Sequence, residues 1–214
     1  MVHIDMELDK YAALYNGFET KFPGIVGKYE GKKLIICGDA QCVWNDLESF
    51  GCKCAQNRGS VFKNGFHFMT VNKMVEVFPG NIEHCYSNEA ESLITFVAAR
   101  RREYRLEFTG PEHLHSCNRG VQWRWPWRGS GTSALGACLT AVCLGYDEIV
   151  LAGVPLDNSP HNGEPHWRTC EFETRDAVGT KEQNTINHHW KAARDLVFDG
   201  KVKSLSGRTR EWLL

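Results

Sequence analysis

The stretch from Ser133 to Gly153 constrains the fold of this chain more than any other. Ser133–Leu144 contains the longest apolar run of the sequence, Ala134 to Leu144, and reads as a helix. Gly145 follows it as a C-cap, since glycine takes the left-handed conformation that ends a helix. Glu148–Gly153 (Glu-Ile-Val-Leu-Ala-Gly) then gives the strongest strand signal in the chain.

The same alternation runs through the rest of the sequence. Lys33–Cys37 reads as a buried strand, with a turn at Gly38-Asp39-Ala40 and a helix over Gln41–Phe50. Phe66–Val71 and Ile82–Tyr86 are further strands, separated by a short helix at Asn72–Val77. Ser87-Asn88-Glu89 starts a helix with Leu93, Phe96, Val97 and Tyr104 on one face, and Arg105–Phe108 reads as a fourth strand. A helix over Asn187–Phe198 and a strand at Val202–Leu205 close the pattern. Strands alternating with helices predict an α/β fold, a Rossmann-like doubly wound, mainly parallel sheet with helices on both faces. The expectation is a single nucleotide-binding domain over 1–214, with long loops at 110–128 and 154–184.

Composition narrows the function classes. With 214 residues, 42% hydrophobic and 24% charged, the chain is long enough for a substantial core. A net charge of -1 disfavours wholesale nucleic-acid binding. The apolar run at Ala134–Leu144 is too short for a membrane span, and the acidic N-terminus is unlike a secretory signal. Cys37, Cys138 and Cys143 sit inside apolar runs, where a thiol acts as a small hydrophobe. A soluble, reduced, cytoplasmic protein is therefore expected, and a homo-oligomer is compatible with it.

Ligands of such sheets bind at the carboxyl ends of the strands. The chief candidate there is Arg128-Gly129-Ser130-Gly131-Thr132-Ser133, just before the apolar helix. Glycines permit close backbone approach, Ser and Thr cap the helix, and the helix N-terminus favours a phosphate. No lysine follows the glycines and the spacing is not G-x-G-x-x-G, so neither a Walker loop nor a dinucleotide fingerprint is present. The plain structural alternative is a tight loop capping a buried helix.

The runs Gly131-Thr132-Ser133-Ala134-Leu135-Gly136 and Leu144-Gly145-Tyr146-Asp147-Glu148-Ile149-Val150-Leu151-Ala152-Gly153-Val154 resemble two related groups. One is the family 42 bacterial sialyltransferases. The other contains motility-accessory-factor glycosyltransferases and a hydroxymethylpterin pyrophosphokinase. Leu34–Ala40 is similar in position to their first strand and turn, Val71-Asn72 to the strand end whose Asn contacts nucleotide, and Val202–Ser206 to their last strand. Pro155 departs from their pattern and moves the carboxylate to Asp157.

The resemblance implies a metal-independent glycosyltransferase that uses a nucleotide-sugar donor, CMP- or UDP-linked, with no tightly bound cofactor; the acceptor is not defined. Gly38, Asp39, Asn72, Asn88 and the Arg128–Ser133 segment would then hold the donor. Asp157, His161 and His166 offer the catalytic base, since imidazole titrates near neutral pH. Trp123, Trp125 and Trp127, interleaved with Arg124 and Arg128, suit either a ligand wall or a sealed loop. The alternatives are a pyrophosphokinase-like phosphotransferase and a non-catalytic nucleotide- or nucleic-acid-binding module. No metal site is expected, because His113-x-His115-x-Cys117 with His161 and His166 matches no zinc signature. Arg100-Arg101-Arg102 reads as a solvated helix end.

Overall fold

A computed structural model describes residues 23–54, 61–104, 108–127, 132–157 and 181–214. Its strands are β1 (Lys33–Cys37), β2 (Lys53–Cys54), β3 (Val61–Phe62), β4 (Phe66–Val71), β5 (His84–Tyr86), β6 (His113–Ser116), β7 (Trp123–Arg124), β8 (Glu148–Ala152) and β9 (Val202–Ser204). The helices are α1 (Val43–Ser49), α2 (Met74–Val77), α3 (Ala90–Tyr104), α4 (Ser133–Leu144), α5 (Lys181–Ala193), which runs on into a π-helical turn, and α6 (Gly207–Trp212).

Seven strands form one sheet in the order β7-β6-β5-β4-β1-β8-β9, and every neighbouring pair is parallel. The β2–β3 pair is a separate antiparallel ribbon. From β1 the chain winds outward through β4, β5, β6 and β7, then returns across the sheet to β8 and β9. The direction of winding therefore switches between β1 and β8. Alternate side chains of the central strands enter two cores. Ile35, Cys37, Phe68, Cys85 and Val150 pack with residues of α1, α2 and α3. Leu34, Ile36, Met69, Tyr86 and Leu151 pack with α4 and with Trp190 of α5. This is the doubly wound α/β sheet that the alternating pattern implies.

Helix α4 is buried from Ala134 through Leu144, as a helix apolar on all sides must be. Gly145 ends it in the left-handed conformation (φ 93°), its N–H bonding to the Ala141 and Val142 carbonyls. Gly136 allows the close approach of α4 to β5, because a Cβ there would lie 2.3 Å from Tyr86 Oη. Cys37, Cys138 and Cys143 are buried, in keeping with their apolar runs.

Three expectations need correction. The 110–128 stretch is not a plain loop, since β6 and β7 extend the sheet within it. Trp125 and Trp127 are each 1% exposed and stack on one another, so they belong to the core and do not wall a ligand. Arg100 is likewise buried and not a solvated helix end. Its guanidinium donates to the carbonyls of Val75, Phe78, Gly80 and Gly110, which ties α3 to the segment after α2. The expected strand at 105–108 lies largely outside the described residues.

Candidate functional site

At the switch point the turns after β1 and β8 lie against each other. The Gly38 N–H donates to the Ala152 carbonyl and that of Ala40 to the Gly153 carbonyl. A Cβ on Gly38 would sit 2.2 Å from the Gly153 oxygen, so the two backbones meet where no side chain fits. Gly153 has a φ of +67° and donates its N–H to Asp46 Oδ2 at 2.8 Å. Asp46 is buried on α1 and also accepts from Ser206 Oγ, just after β9, at 2.7 Å. One carboxylate thus fixes the carboxyl ends of β8 and β9 against α1. Cys42 lies at the same place, 3.6 Å from Ser206 Oγ. Burial, with added repulsion from Asp46 and Asp157, pushes its thiol up to about 11, so Cys42 is a thiol and not a thiolate nucleophile at neutral pH.

A second part of the mouth joins β4 and β5 to the start of α4. Thr132 caps α4, its Oγ1 accepting from the Leu135 N–H at 3.2 Å. Ser133 Oγ accepts from the Asn88 N–H at 3.1 Å, linking the loop after β5 to the helix N-terminus. Asn88 Oδ1 accepts from Tyr86 Oη and from Cys117 Sγ, which leaves its amide NH2 as the group that can donate outward. Asn72, after β4, has a φ of 52° and donates its N–H to the Tyr86 carbonyl while its side chain is exposed. The mouth from β5 across β4 and β1 to β8 covers three inter-strand spacings, roughly 14 Å.

Of the residues chosen from sequence, Gly38, Asp39, Asn72, Asn88, Thr132, Ser133 and Asp157 all fall at this carboxyl edge. Asn88 and Ser133 are in direct contact. Asp157 lies near enough to Cys42 to act on its thiol. Arg128, Gly129, Ser130, Gly131, His161 and His166 lie outside the described residues. Sequence reasoning did not assign Asp46, Ser206 or Cys117 to this mouth. The first two meet across the fold from positions far apart in the chain, and only the placement of β9 beside β8 brings them together.

A buried polar chain runs from Trp125, just past β7, across β6 and β5 to β4. Trp125 Nε1 donates to His115 Nδ1 at 3.0 Å. Burial holds His115 neutral, its pKa lowered to about 3, and lowers His84 in the same way. A neutral ring with Nδ1 accepting carries its proton on Nε2. His115 Nε2 therefore donates to His84 Nδ1 (3.0 Å) and His84 Nε2 donates to Tyr146 Oη (2.9 Å), while Tyr146 Oη and His67 Nδ1 share a further hydrogen bond (2.9 Å). Tyr146→Phe would strand the buried His84 N–H. A loss of about 1–3 kcal/mol is expected on urea unfolding. Unchanged stability would mean that the hydroxyl does not hold the chain together.

Comparison with known proteins bears on the fold. No protein-family model matches the chain, and no curated protein matches it in sequence. Among solved structures, its architecture is similar to that of sialyltransferases. The monofunctional alpha-2,3-sialyltransferase Cst-I from Campylobacter jejuni aligns at a TM-score of 0.54 and 12% identity, over 89% of this chain and 81% of that one. The sialyltransferase CstII from Campylobacter jejuni, in complex with the substrate analogue CMP-3FNeuAc, aligns at a TM-score of 0.49 and 13% identity, over 81% of each chain. At such identity the likeness to Cst-I shows a sialyltransferase-like fold and nothing finer.

Proposed function

We propose that the chain is a transferase using a nucleotide-activated donor, a glycosyltransferase of the sialyltransferase-like kind that works without a metal at the carboxyl mouth. The observation that carries this reading is the contact of Asn88 with Ser133 at the N-terminus of α4, after β5 on the same carboxyl edge as the switch point. A helix N-terminus with its first-turn N–H groups favours a phosphate, and a leaving nucleotide gathers negative charge there as the glycosidic bond to phosphate breaks. Asn88 and Asn72 offer amide donors along the same edge. Gly38 and Asp39 lie further along it, beside β8.

The reaction needs one more group. A base removes the acceptor hydroxyl proton as the acceptor oxygen bonds to the anomeric carbon and the phosphate oxygen leaves. His161 or His166 takes this role by resemblance, with Asp157 as the nearest described carboxylate in sequence. Arg128 and the Gly129-Ser130-Gly131 turn complete the phosphate cradle in the same reading, and a CMP- or UDP-linked sugar is the donor. The protein is taken to be one domain acting in the cytoplasm.

Thermal shift with CMP, UMP, GDP, ATP, CMP-sialic acid and UDP-sugars, with and without Mg²⁺, tests this. Stabilisation by a pyrimidine nucleotide without metal is expected, and Asn88→Ala should weaken that affinity about tenfold, the loss of one or two hydrogen bonds. A shift confined to ATP with Mg²⁺ would replace the glycosyltransferase with a phosphotransferase. No shift with any of them would leave the capped helix as a purely structural feature.

A further inference from the structure

We propose that Glu83, Glu112 and His113 form a binding site for one divalent transition-metal ion at the amino end of β5 and β6, away from the carboxyl mouth. The parallel register pairs His84 with His113, which sets Glu83 beside Glu112, the residues just before each strand. The Glu112 and His113 N–H groups both bond to the Glu83 carbonyl, fixing that juxtaposition in the backbone. One ligand atom from each of the three side chains lies within 4.8 Å of the other two. Ligands bound at about 2.1 Å to one ion are at most about 4.2 Å apart. Side-chain movements of less than an ångström therefore close the set.

Three further observations favour an ion over a chance cluster. Two carboxylates held side by side repel one another, and a cation between them reverses the sign of that interaction. Tyr29 Oη donates to Glu83 Oε1 at 3.0 Å, orienting one carboxylate as outer hydrogen bonds do around metal ligands. Glu83 and Glu112 also line a cavity of about 390 Å³ with His67, Asn81 and Thr109, so an ion held by three protein atoms keeps positions open to water or a small anion. Two oxygens and one imidazole nitrogen suit Mn²⁺, Fe²⁺, Co²⁺ or Zn²⁺ better than Mg²⁺ or Ca²⁺, which prefer oxygen alone. Sequence spacing conceals the site, because Glu83 is brought to Glu112 and His113 only by strand pairing.

The test titrates reduced, metal-free protein with Zn²⁺ by calorimetry and with Co²⁺ by tryptophan fluorescence. Trp123 Nε1 donates to His113 Nδ1 at 3.4 Å; a neutral imidazole has one lone pair, so metal binding to this ring releases the indole N–H, and the indole reports that release. One saturable site is expected. Zn²⁺ affinity should fall at least tenfold in E112Q and in H113A, and the Co²⁺ quench should shrink in W123F. Glu112 is exposed, so E112Q keeps the fold even if substitutions at Glu83 do not; circular dichroism checks this. No saturable binding, or less than a tenfold loss in both E112Q and H113A, would overturn the site.

Discussion

Arg100→Met lowers the stability of this protein by about 3 kcal/mol, read as a fall in the urea midpoint with little change in slope. Arg100 is 1% exposed, and its guanidinium reaches Phe78 O at 2.6 Å, Val75 O at 3.3 Å and Gly110 O at 3.4 Å, with Gly80 O as a fourth acceptor. Methionine fills much of the stem volume but donates nothing, so carbonyls that turn inward after α2 lose their partner in a site that water does not reach. The Phe78 oxygen also accepts from the Gly80 N–H, so its loss is partial. The Gly80 oxygen has the most to lose. Arg100→Lys should recover only a minor part, because an ammonium is a point donor and cannot span a planar fan of carbonyls. A methionine variant as stable as wild type would show that these carbonyls find other donors.

Gly38→Ala is expected to cost about 2–3 kcal/mol and to weaken any ligand at the mouth. The added methyl meets the Gly153 oxygen at 2.2 Å and Val154 Cγ2 at 2.7 Å. The nearer of these is backbone and cannot rotate aside. Either β1 or β8 must shift at its carboxyl end, breaking the Gly38–Ala152 or Ala40–Gly153 hydrogen bond. Gly24→Ala is the control, since a Cβ there meets nothing within 4 Å, and a change within about 0.5 kcal/mol is expected. Equal effects at the two positions would show that the close approach at Gly38 is not what stabilises the switch point.

The α4–β8 unit is legible in the sequence because its signals agree. A run that is apolar on all sides, a glycine stop and a buried strand leave one reading, and Ser133–Leu144 matches its element to the residue. Strands β6 and β7 are illegible for the opposite reason. His113, Leu114, His115 and Ser116 have little β propensity, and their strand is held by pairing with β5 and by indole N–H groups on its histidines. Arg100 was legible, had the helix period been followed: Leu93, Val97 and Arg100 share one buried face of α3. The candidate mouth was half legible. The carboxyl-end rule found Asn72, Asn88, Thr132 and Ser133, but the Asp46–Ser206 tie depends on tertiary contacts that no local pattern encodes.

The chain from Trp125 to Tyr146 has an arrow. An indole can only give a proton to a hydrogen bond, so the orientation imposed at Trp125 passes through His115 and His84 to the Tyr146 oxygen. None of these three links reverses alone without setting two hydrogens, or two lone pairs, face to face. The three links thus have a single permitted sense. Trp125, just past edge strand β7, dictates which nitrogen of His84 bears hydrogen, two strands further into the sheet.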